Sequence, residues 1–270
     1  MGKNKGICAV CQKEKELTYE HYPPKSVNNK TSVKKYTSKE VMEAFVKNEK
    51  VDDPQSRREY AQLQRGHGGY TLCRKCNNET GTNYADEYQI VANGFIMVLK
   101  DEEANRLDEE VDLLTVRLKL KPLNFIKQVL TMFCSIDGLA LNANKDLRNL
   151  VLDKYSKTIN KDNVRICMYI TKSSTFKTTS ALIGGTSLLV DEISFAPFGF
   201  SLYSNYTSVE RMIGCDITDF FDYDYNQEKE MSITVPIMEI DEERLVIPNA
   251  FKENEKEKLR CLTVTLSKNQ

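Results

Sequence analysis

Two pairs of cysteines, each separated by two residues, constrain the fold of this chain more than any other feature of its sequence. The first pair is Cys8 and Cys11, and the second is Cys73 and Cys76. This spacing lets both sulfurs of a pair reach one ion, and the second pair completes a tetrahedral shell. The pattern predicts one zinc-binding unit with four thiolate ligands, in which 61 residues separate Cys11 from Cys73. A redox role for either pair alone explains neither the duplication nor the context.

The composition is typical of an ordinary globular protein, since 40% of the 270 residues are hydrophobic and 29% are charged. A chain of this length can hold one large domain or two modest ones. No apolar segment typical of a signal peptide follows Met1, and the apolar run at 90–99 is too short to span a bilayer. We therefore expect a cytoplasmic protein without membrane contact, in a reducing compartment where paired cysteines are more often metal ligands than disulfides. The other cysteines stand singly among apolar neighbours and are predicted to be buried thiols: Cys134, Cys167, Cys215 and Cys261.

Charge is divided unevenly along the chain. Residues 1–84 carry 16 Lys and Arg and 10 Asp and Glu, a net of +6, whereas the remainder carries 22 and 29, a net of −7. A basic segment of this kind favours a polyanionic partner such as nucleic acid, and chance clustering of solvated charges is the alternative. Phosphate contacts are expected from the following cations: Lys25, Lys30, Lys34, Lys35, Lys39, Arg65, Arg74 and Lys75.

The segment between the cysteine pairs combines strand patterns with an insertion. Residues 16–22 alternate, which predicts a strand with Glu20 and His21 on opposite faces, ended by Pro23-Pro24. Residues 25–66 are polar and are interpreted as an insertion that is partly helical. Two apolar groups have helical spacing there: Val41, Met42, Phe45 and Val46, and then Tyr60 and Leu63. A flexible loop at 66–69 and a short strand at 70–72 are predicted to lead into the second pair.

After the second pair, Gly81 is predicted to end the zinc-binding motif, and a helix is predicted to follow it. The apolar positions of that helix repeat every three to four residues: Tyr84, Tyr88, Val91, Phe95 and Leu99. The acidic stretch 101–110 is interpreted as a linker. We therefore divide the chain into residues 1–100, which include the insertion 25–66, and residues 111–270.

The second half of the chain contains both the alternating pattern of strands and the three-to-four-residue spacing of helices. Alternation predicts strands at 114–120 and 164–170, and helical spacing predicts helices over 125–133 and 147–155. Further strand-like stretches occur near 181–190, 192–204, 231–238 and 261–267. Helices followed by a run of strands predict an α+β fold with a largely antiparallel sheet.

A carboxylate, an imidazole and a carboxamide accompany the cysteine pairs. Glu20 and His21 lie between the pairs, and Asn77 directly follows Cys76. A four-thiolate zinc site keeps no position open for water, so any catalysis needs a second centre. The alternative to a catalytic role for Glu20 and His21 is that they form an ordinary surface dipeptide. The alternatives for Asn77 are a helix cap or a turn residue, with Asn78 as a substitute ligand.

Taken together, these motifs resemble the zinc-containing HNH endonucleases, also called His-Me finger or ββα-metal nucleases. The resemblance covers about residues 7–82 and rests on Cys-x-x-Cys, Glu-His-x-x-Pro and Cys-x-x-Cys-Asn. It implies a treble-clef or ββα-metal zinc finger in which Glu20 and Asn77 hold one divalent ion and His21 is the general base. One carboxylate, one amide oxygen and several waters suit Mg²⁺ or Mn²⁺, and imidazole suits proton abstraction near neutral pH.

One position departs from the family pattern. The family usually has an asparagine a few residues before the third cysteine, which orients the histidine, but here that neighbourhood is Gly66-His67-Gly68-Gly69-Tyr70. His67, Tyr70 or a backbone carbonyl would then have to orient His21. The alternative is that the site is degenerate. His67 is interpreted as an exposed loop histidine, with contact to phosphate or metal as the alternative.

The sequence therefore predicts a metal-dependent endonuclease that cleaves nucleic acid, with DNA as the preferred substrate. By family analogy its setting is bacterial restriction or antiviral defence. Two alternatives remain, a catalytically inactive zinc module that binds nucleic acid and a protein-interaction adaptor. The second half would provide specificity, dimerisation or regulation by a protein partner.

Overall fold

The structure, a computed structural model, describes residues 4–27, 29–47, 49, 55, 58–105, 113–172, 176–183, 187–205, 212 and 214–238. The fold is α+β, as predicted, with both helices and largely antiparallel sheets. The strand-like stretch 261–267, Cys261 and part of the predicted linker at 101–110 lie outside the described residues.

The N-terminal sheet has three antiparallel strands in the order β1-β2-β5. They are β1 (Lys5–Ile7), β2 (Glu14–His21) and β5 (Gly68–Cys73). The alternating segment forms β2, which ends before the two prolines because proline cannot donate to a ladder. The predicted short strand before the second cysteine pair is confirmed as β5.

The insertion between β2 and β5 contains a small two-stranded sheet and one helix. Strand β3 (Val33–Lys35) pairs with β4 (Ala61–Leu63), and helix α1 (Ser38–Lys47) lies between them in the chain. The partly helical character is therefore confirmed. The helical interpretation of Tyr60 and Leu63 is wrong, because Leu63 pairs with Val33 across the two strands. Two apolar residues three positions apart cannot specify a helix when cross-strand pairing supplies the hydrogen bonds.

Helix α2 (Arg74–Thr80) continues through a π-helical turn (Gly81–Ala85) into α3 (Asp86–Asn105). Gly81, which is predicted to end the zinc-binding motif, does not interrupt the helix, because its backbone is helical, with φ −58° and ψ −48°. The apolar repeat after it is confirmed as a helix, and Tyr84, Tyr88 and Phe95 are fully buried.

The second half is built on a sheet with the strand order β6-β12-β7-β10-β9-β8. All its described pairings are antiparallel except the one between β12 and β7, so the predicted sheet type is confirmed. The predicted 192–204 stretch is two strands, divided by a turn at Ala196-Pro197. The strands are β6 (Leu113–Leu120), β7 (Val164–Thr171), β8 (Lys177–Leu182), β9 (Leu189–Phe195), β10 (Phe198–Ser204), β11 (Cys215–Asp216, paired with β7) and β12 (Lys229–Met238).

Helix α4 (Pro122–Ile136) lies at the centre of the molecule and is buried on all sides from Pro122 to Ser135. It is followed by α5 (Leu139–Ala143) and α6 (Leu147–Leu152). One connected hydrophobic core runs from Cys8 to Ile237, so the described parts of both halves share it. The division at 101–110 stays a prediction. Among the described helices, none has the length and apolar composition that crossing a bilayer requires.

Candidate metal centre and adjoining polar pocket

The four predicted cysteine ligands converge. Their sulfurs all lie within 4.8 Å of one another, and Cys8, Cys73 and Cys76 are buried. Zn–S bonds of about 2.3 Å in a tetrahedron place the sulfurs roughly 3.8 Å apart, which small side-chain shifts would achieve here. The cluster can therefore hold a metal ion such as zinc.

Local hydrogen bonds shape the first cysteine turn. The amide of Cys8 donates to Lys13 O at 3.0 Å, and the amide of Gln12 donates to Cys8 O at 2.8 Å. The Cys73 amide points at Cys8 Sγ, 3.3 Å away. A hydrogen bond with the Cys76 thiol, together with backbone amides, lowers the pKa of Cys8 to about 4. Cys8 is thus favoured as a thiolate, the form that binds metal, whereas burial raises the pKa of Cys11 in the same turn.

A second, separate feature is a pocket of about 170 Å³ beside the cysteine cluster. Glu20, His21 and Asn77, the three polar residues predicted from the sequence, all line this pocket. Lys25 and Gln128 line it as well. The end of β2 supplies the first two residues and helix α2 supplies Asn77, so a ββα arrangement gathers them.

His21 is oriented by a backbone carbonyl, one of the three options left by the sequence. Its Nε2 lies 2.8 Å from Arg65 O. A carbonyl oxygen only accepts, so Nε2 carries the proton, and Nδ1 of the neutral ring is the unprotonated acceptor. The ring also packs edge-on against Tyr19, with a centroid distance of 5.2 Å. The result is a half-buried imidazole held in the tautomer that a general base needs.

Glu20 is more deeply buried than a surface dipeptide would be, with 6% of its surface exposed. Ser135 Oγ donates to Glu20 Oε2 at 2.7 Å, and Thr71 Oγ1 lies 3.2 Å from the same oxygen. Burial raises the pKa of Glu20 to about 7, against the opposing effect of these hydroxyls. Among the described residues both contacts fall on Oε2, so Oε1 is the oxygen available to a cation.

Asn77 is fixed by its amide nitrogen. Nδ2 donates to Thr18 Oγ1 at 3.0 Å and lies 3.4 Å from Tyr19 O. Since the nitrogen end faces β2, the oxygen is the end left for a ligand. The cap alternative is wrong, because Cys73 occupies the N-cap of α2 and Gly81 the C-cap. Asn78 is exposed and does not line the pocket.

No protein family, curated protein or solved structure matches this chain.

His67 is buried, so its interpretation as an exposed loop histidine is wrong. Its ring stacks on Phe176, and Nδ1 lies 3.2 Å from Tyr22 O. Burial lowers the pKa of His67 to about 3, which keeps the ring neutral. It does not line the pocket, so it supports the fold around the site and does not contact a ligand there.

Asn29 is a supporting residue that the sequence did not reveal. Its Nδ2 donates to Pro23 O at 2.6 Å and to His67 O at 2.7 Å, and its Oδ1 accepts from the His67 amide at 2.6 Å. These bonds join the two ends of the insertion beside His21 and Arg65. A polar residue in a polar insertion carries no sequence signal for such a role.

The predicted cations separate into groups. Lys25 lines the pocket, whereas Lys35 and Arg65 are exposed near the β3–β4 sheet. Arg74 and Lys75 line a cleft of about 1020 Å³ that runs past the cysteine cluster. Other cations also line that cleft: Lys13, Lys15 and Lys154. The cleft is thus lined by five cations together with the carboxylates of Glu16, Glu79 and Asp153.

Proposed function

We propose that this protein is a metal-dependent endonuclease, similar in its chemistry to the HNH nucleases, that hydrolyses phosphodiester bonds. The observation that carries the proposal is the hydrogen bond between His21 Nε2 and Arg65 O, in a pocket shared with Glu20 and Asn77. The bond leaves Nδ1 as the basic nitrogen beside two oxygen donors.

Each residue has a distinct task in this proposal. His21 Nδ1 takes the proton from an attacking water. Glu20 and Asn77 offer a carboxylate and an amide oxygen, the donors that suit Mg²⁺ or Mn²⁺. Such an ion, when bound, would stabilise the charge that develops on the phosphate oxygens. Lys25, exposed beside the pocket, would contact a neighbouring phosphate.

The cysteine cluster has a different role in the same proposal. Zinc held by Cys8, Cys11, Cys73 and Cys76 would join the β1–β2 turn to the start of α2 and so fix Asn77 relative to β2. DNA is the proposed substrate, and bacterial defence is the proposed setting, both by analogy with the family that the motifs resemble.

The test is incubation of the purified, zinc-loaded chain with supercoiled plasmid DNA, and in parallel with RNA, in the presence of Mg²⁺ or Mn²⁺. EDTA should stop cleavage. His21→Ala should reduce the cleavage rate by about 10²–10⁴-fold, as loss of a general base does. The zinc content and melting temperature should stay close to wild type, because the ring makes one hydrogen bond within the described part of the chain and His21 is not one of the four cysteine ligands.

Adjacent asparagines provide a matched pair of variants. Asn77→Ala should lose metal-dependent cleavage, whereas Asn78→Ala should keep it, because Asn78 is exposed and outside the pocket. A folded wild-type protein that binds nucleic acid without cutting it would favour the inactive zinc module. Absence of both binding and cleavage, with a co-purifying protein, would favour the adaptor. Wild-type cleavage by His21→Ala would exclude catalysis at this site.

A further inference from the structure

Helix α4 contains five polar side chains that the fold buries almost completely: Asn124, Lys127, Gln128, Thr131 and Ser135. Four of them make hydrogen bonds. Asn124 bonds Asn83 O and Asn226, Lys127 bonds Asp153 O, Thr131 bonds Lys127 O, and Ser135 bonds Glu20. Gln128 differs, because its Oε1 is buried and has no hydrogen-bond partner among the described residues. An unpaired buried acceptor is uncommon and calls for an explanation.

Gln128 lines the same pocket as Glu20, His21 and Asn77, although it belongs to the second half of the chain. Only 3% of its surface is exposed. Gln128 and Ser135 are seven positions apart, which places both on one face of α4, roughly 10 Å apart along the helix axis. Ser135 holds Glu20 Oε2, so the same helix face that positions the carboxylate also brings Gln128 to the pocket.

We propose that Gln128 Oε1 is a third protein ligand of the divalent cation held by Glu20 and Asn77, so that the second half of the chain completes the site. This inference rests on the cation pocket of the proposed function and adds a ligand that the sequence motifs do not contain. A carboxamide oxygen is a hard donor of the kind that Mg²⁺ and Mn²⁺ take. Together with Glu20 and Asn77 it supplies three oxygen donors, and waters or phosphate oxygens fill the remaining octahedral positions.

Two features make this assignment more specific than a polar residue near a cavity. The acceptor is dehydrated and unpaired without a ligand, and a bound cation would remove that cost. Its helix is also the most enclosed one described, so Gln128 cannot turn into solvent to find another partner.

The experiment measures Mn²⁺ affinity of the zinc-loaded full chain from the electron paramagnetic resonance signal of free Mn²⁺. Gln128→Met keeps the shape and removes the acceptor. We expect Mn²⁺ affinity to fall by at least about 10-fold, the lower end of what loss of a supporting group at a metal site costs. The melting temperature without Mn²⁺ should stay the same or rise, because an unpaired buried acceptor is gone. An unchanged Mn²⁺ affinity in folded Gln128→Met would overturn the inference.

Two further variants keep the test decisive. Gln128→Glu retains an oxygen donor and adds charge, so Mn²⁺ affinity should equal or exceed that of wild type. Weaker Mn²⁺ binding in folded Gln128→Glu would count against a ligand role, even if Gln128→Met failed to fold. Thr131→Val is the control, because Thr131 is buried on the same helix and its hydroxyl, among the residues that the structure describes, bonds only Lys127 O. Its Mn²⁺ affinity should match wild type.

Failure of this inference can be told apart from failure of the nuclease proposal. If wild type cleaves plasmid, His21→Ala does not, and Gln128→Met binds Mn²⁺ normally, only the Gln128 assignment is lost. If Gln128→Met loses Mn²⁺ binding but wild type cleaves neither DNA nor RNA, the cation site stands and the nuclease proposal is lost.

Discussion

Ser135 Oγ donates a 2.7 Å hydrogen bond to Glu20 Oε2, joining two residues that are 115 positions apart in the chain. The bond links α4, the most buried helix, to the end of β2. The rotamer of Glu20 is therefore set by the second half of the protein, and the pocket is not a property of the cysteine-containing segment alone.

Ser135→Ala should destabilise the protein through Glu20. At pH 8, above the Glu20 pKa of about 7, the carboxylate is ionised. Losing a hydrogen bond to a charged group should then lower the free energy of unfolding by about 1.5–3 kcal/mol, measured by urea denaturation. A double-mutant cycle with Glu20→Gln is the control. The effect of Ser135→Ala should shrink in that background, and fully additive effects would contradict the coupling.

The cysteine cluster should hold about one zinc per chain, measured by elemental analysis of the purified protein. Cys73→Ser should lose the metal and loosen the N-terminal sheet, because metal-binding energy at such a site is folding energy. Cys134→Ala is the matched control. Cys134 is also buried but lies outside the cluster, so this variant should keep its zinc. A zinc-free wild-type protein with an unchanged fold would contradict the assignment.

His67 should make stability depend on pH in the acid range. Its folded-state pKa of about 3 lies below the ordinary value of 6.5, so below 6.5 the unfolded chain binds a proton that the native ring does not. The stabilisation is therefore complete above pH 6.5 and is lost as pH falls toward 3. At pH 4.5, two units below the ordinary pKa, the free energy of unfolding should be lower by about 3 kcal/mol, since each unit contributes about 1.4 kcal/mol.

The control for this pH effect is His67→Phe, which keeps an aromatic ring against Phe176 and cannot be protonated. Both proteins contain the same carboxylates, so the difference between their unfolding free energies as a function of pH isolates His67. If the unfolding free energies of the two proteins changed in parallel between pH 6.5 and 4.5, the His67 ring would be protonated as readily in the native state as in the unfolded chain.

Nucleic-acid binding should depend on salt through the basic segment. If Lys25 neutralises one phosphate, Lys25→Ala should reduce the slope of log K against log salt by about 0.9, measured by fluorescence anisotropy of labelled DNA. Lys157→Ala removes the same charge from the second half, where Lys157 is paired with Asp224 at 2.6 Å. It should leave the slope unchanged. If both variants changed the slope equally, binding would depend on the overall charge of the protein and not on Lys25.

The sequence by itself determined the parts of the site that depend on local spacing. Two residues between cysteines are enough to direct both sulfurs to one point. Alternation over residues 16–22 was enough to predict the strand that forms β2 and ends at His21. The antiparallel character of the second sheet was also predicted, because helices followed by a run of strands are typical of an α+β fold with such a sheet.

Tertiary structure alone decided how the pocket is completed. The carbonyl of Arg65 has no side-chain signature, and Gln128 is one polar position on a helix that the sequence marks only as amphipathic. His67 looked exposed because its glycine-rich neighbours suggest a loop, yet it stacks on Phe176, more than 100 positions away. Local periodicity states which positions are buried, but not which partner buries them. Contacts between distant segments form only in the packed fold, so no short stretch of sequence encodes them.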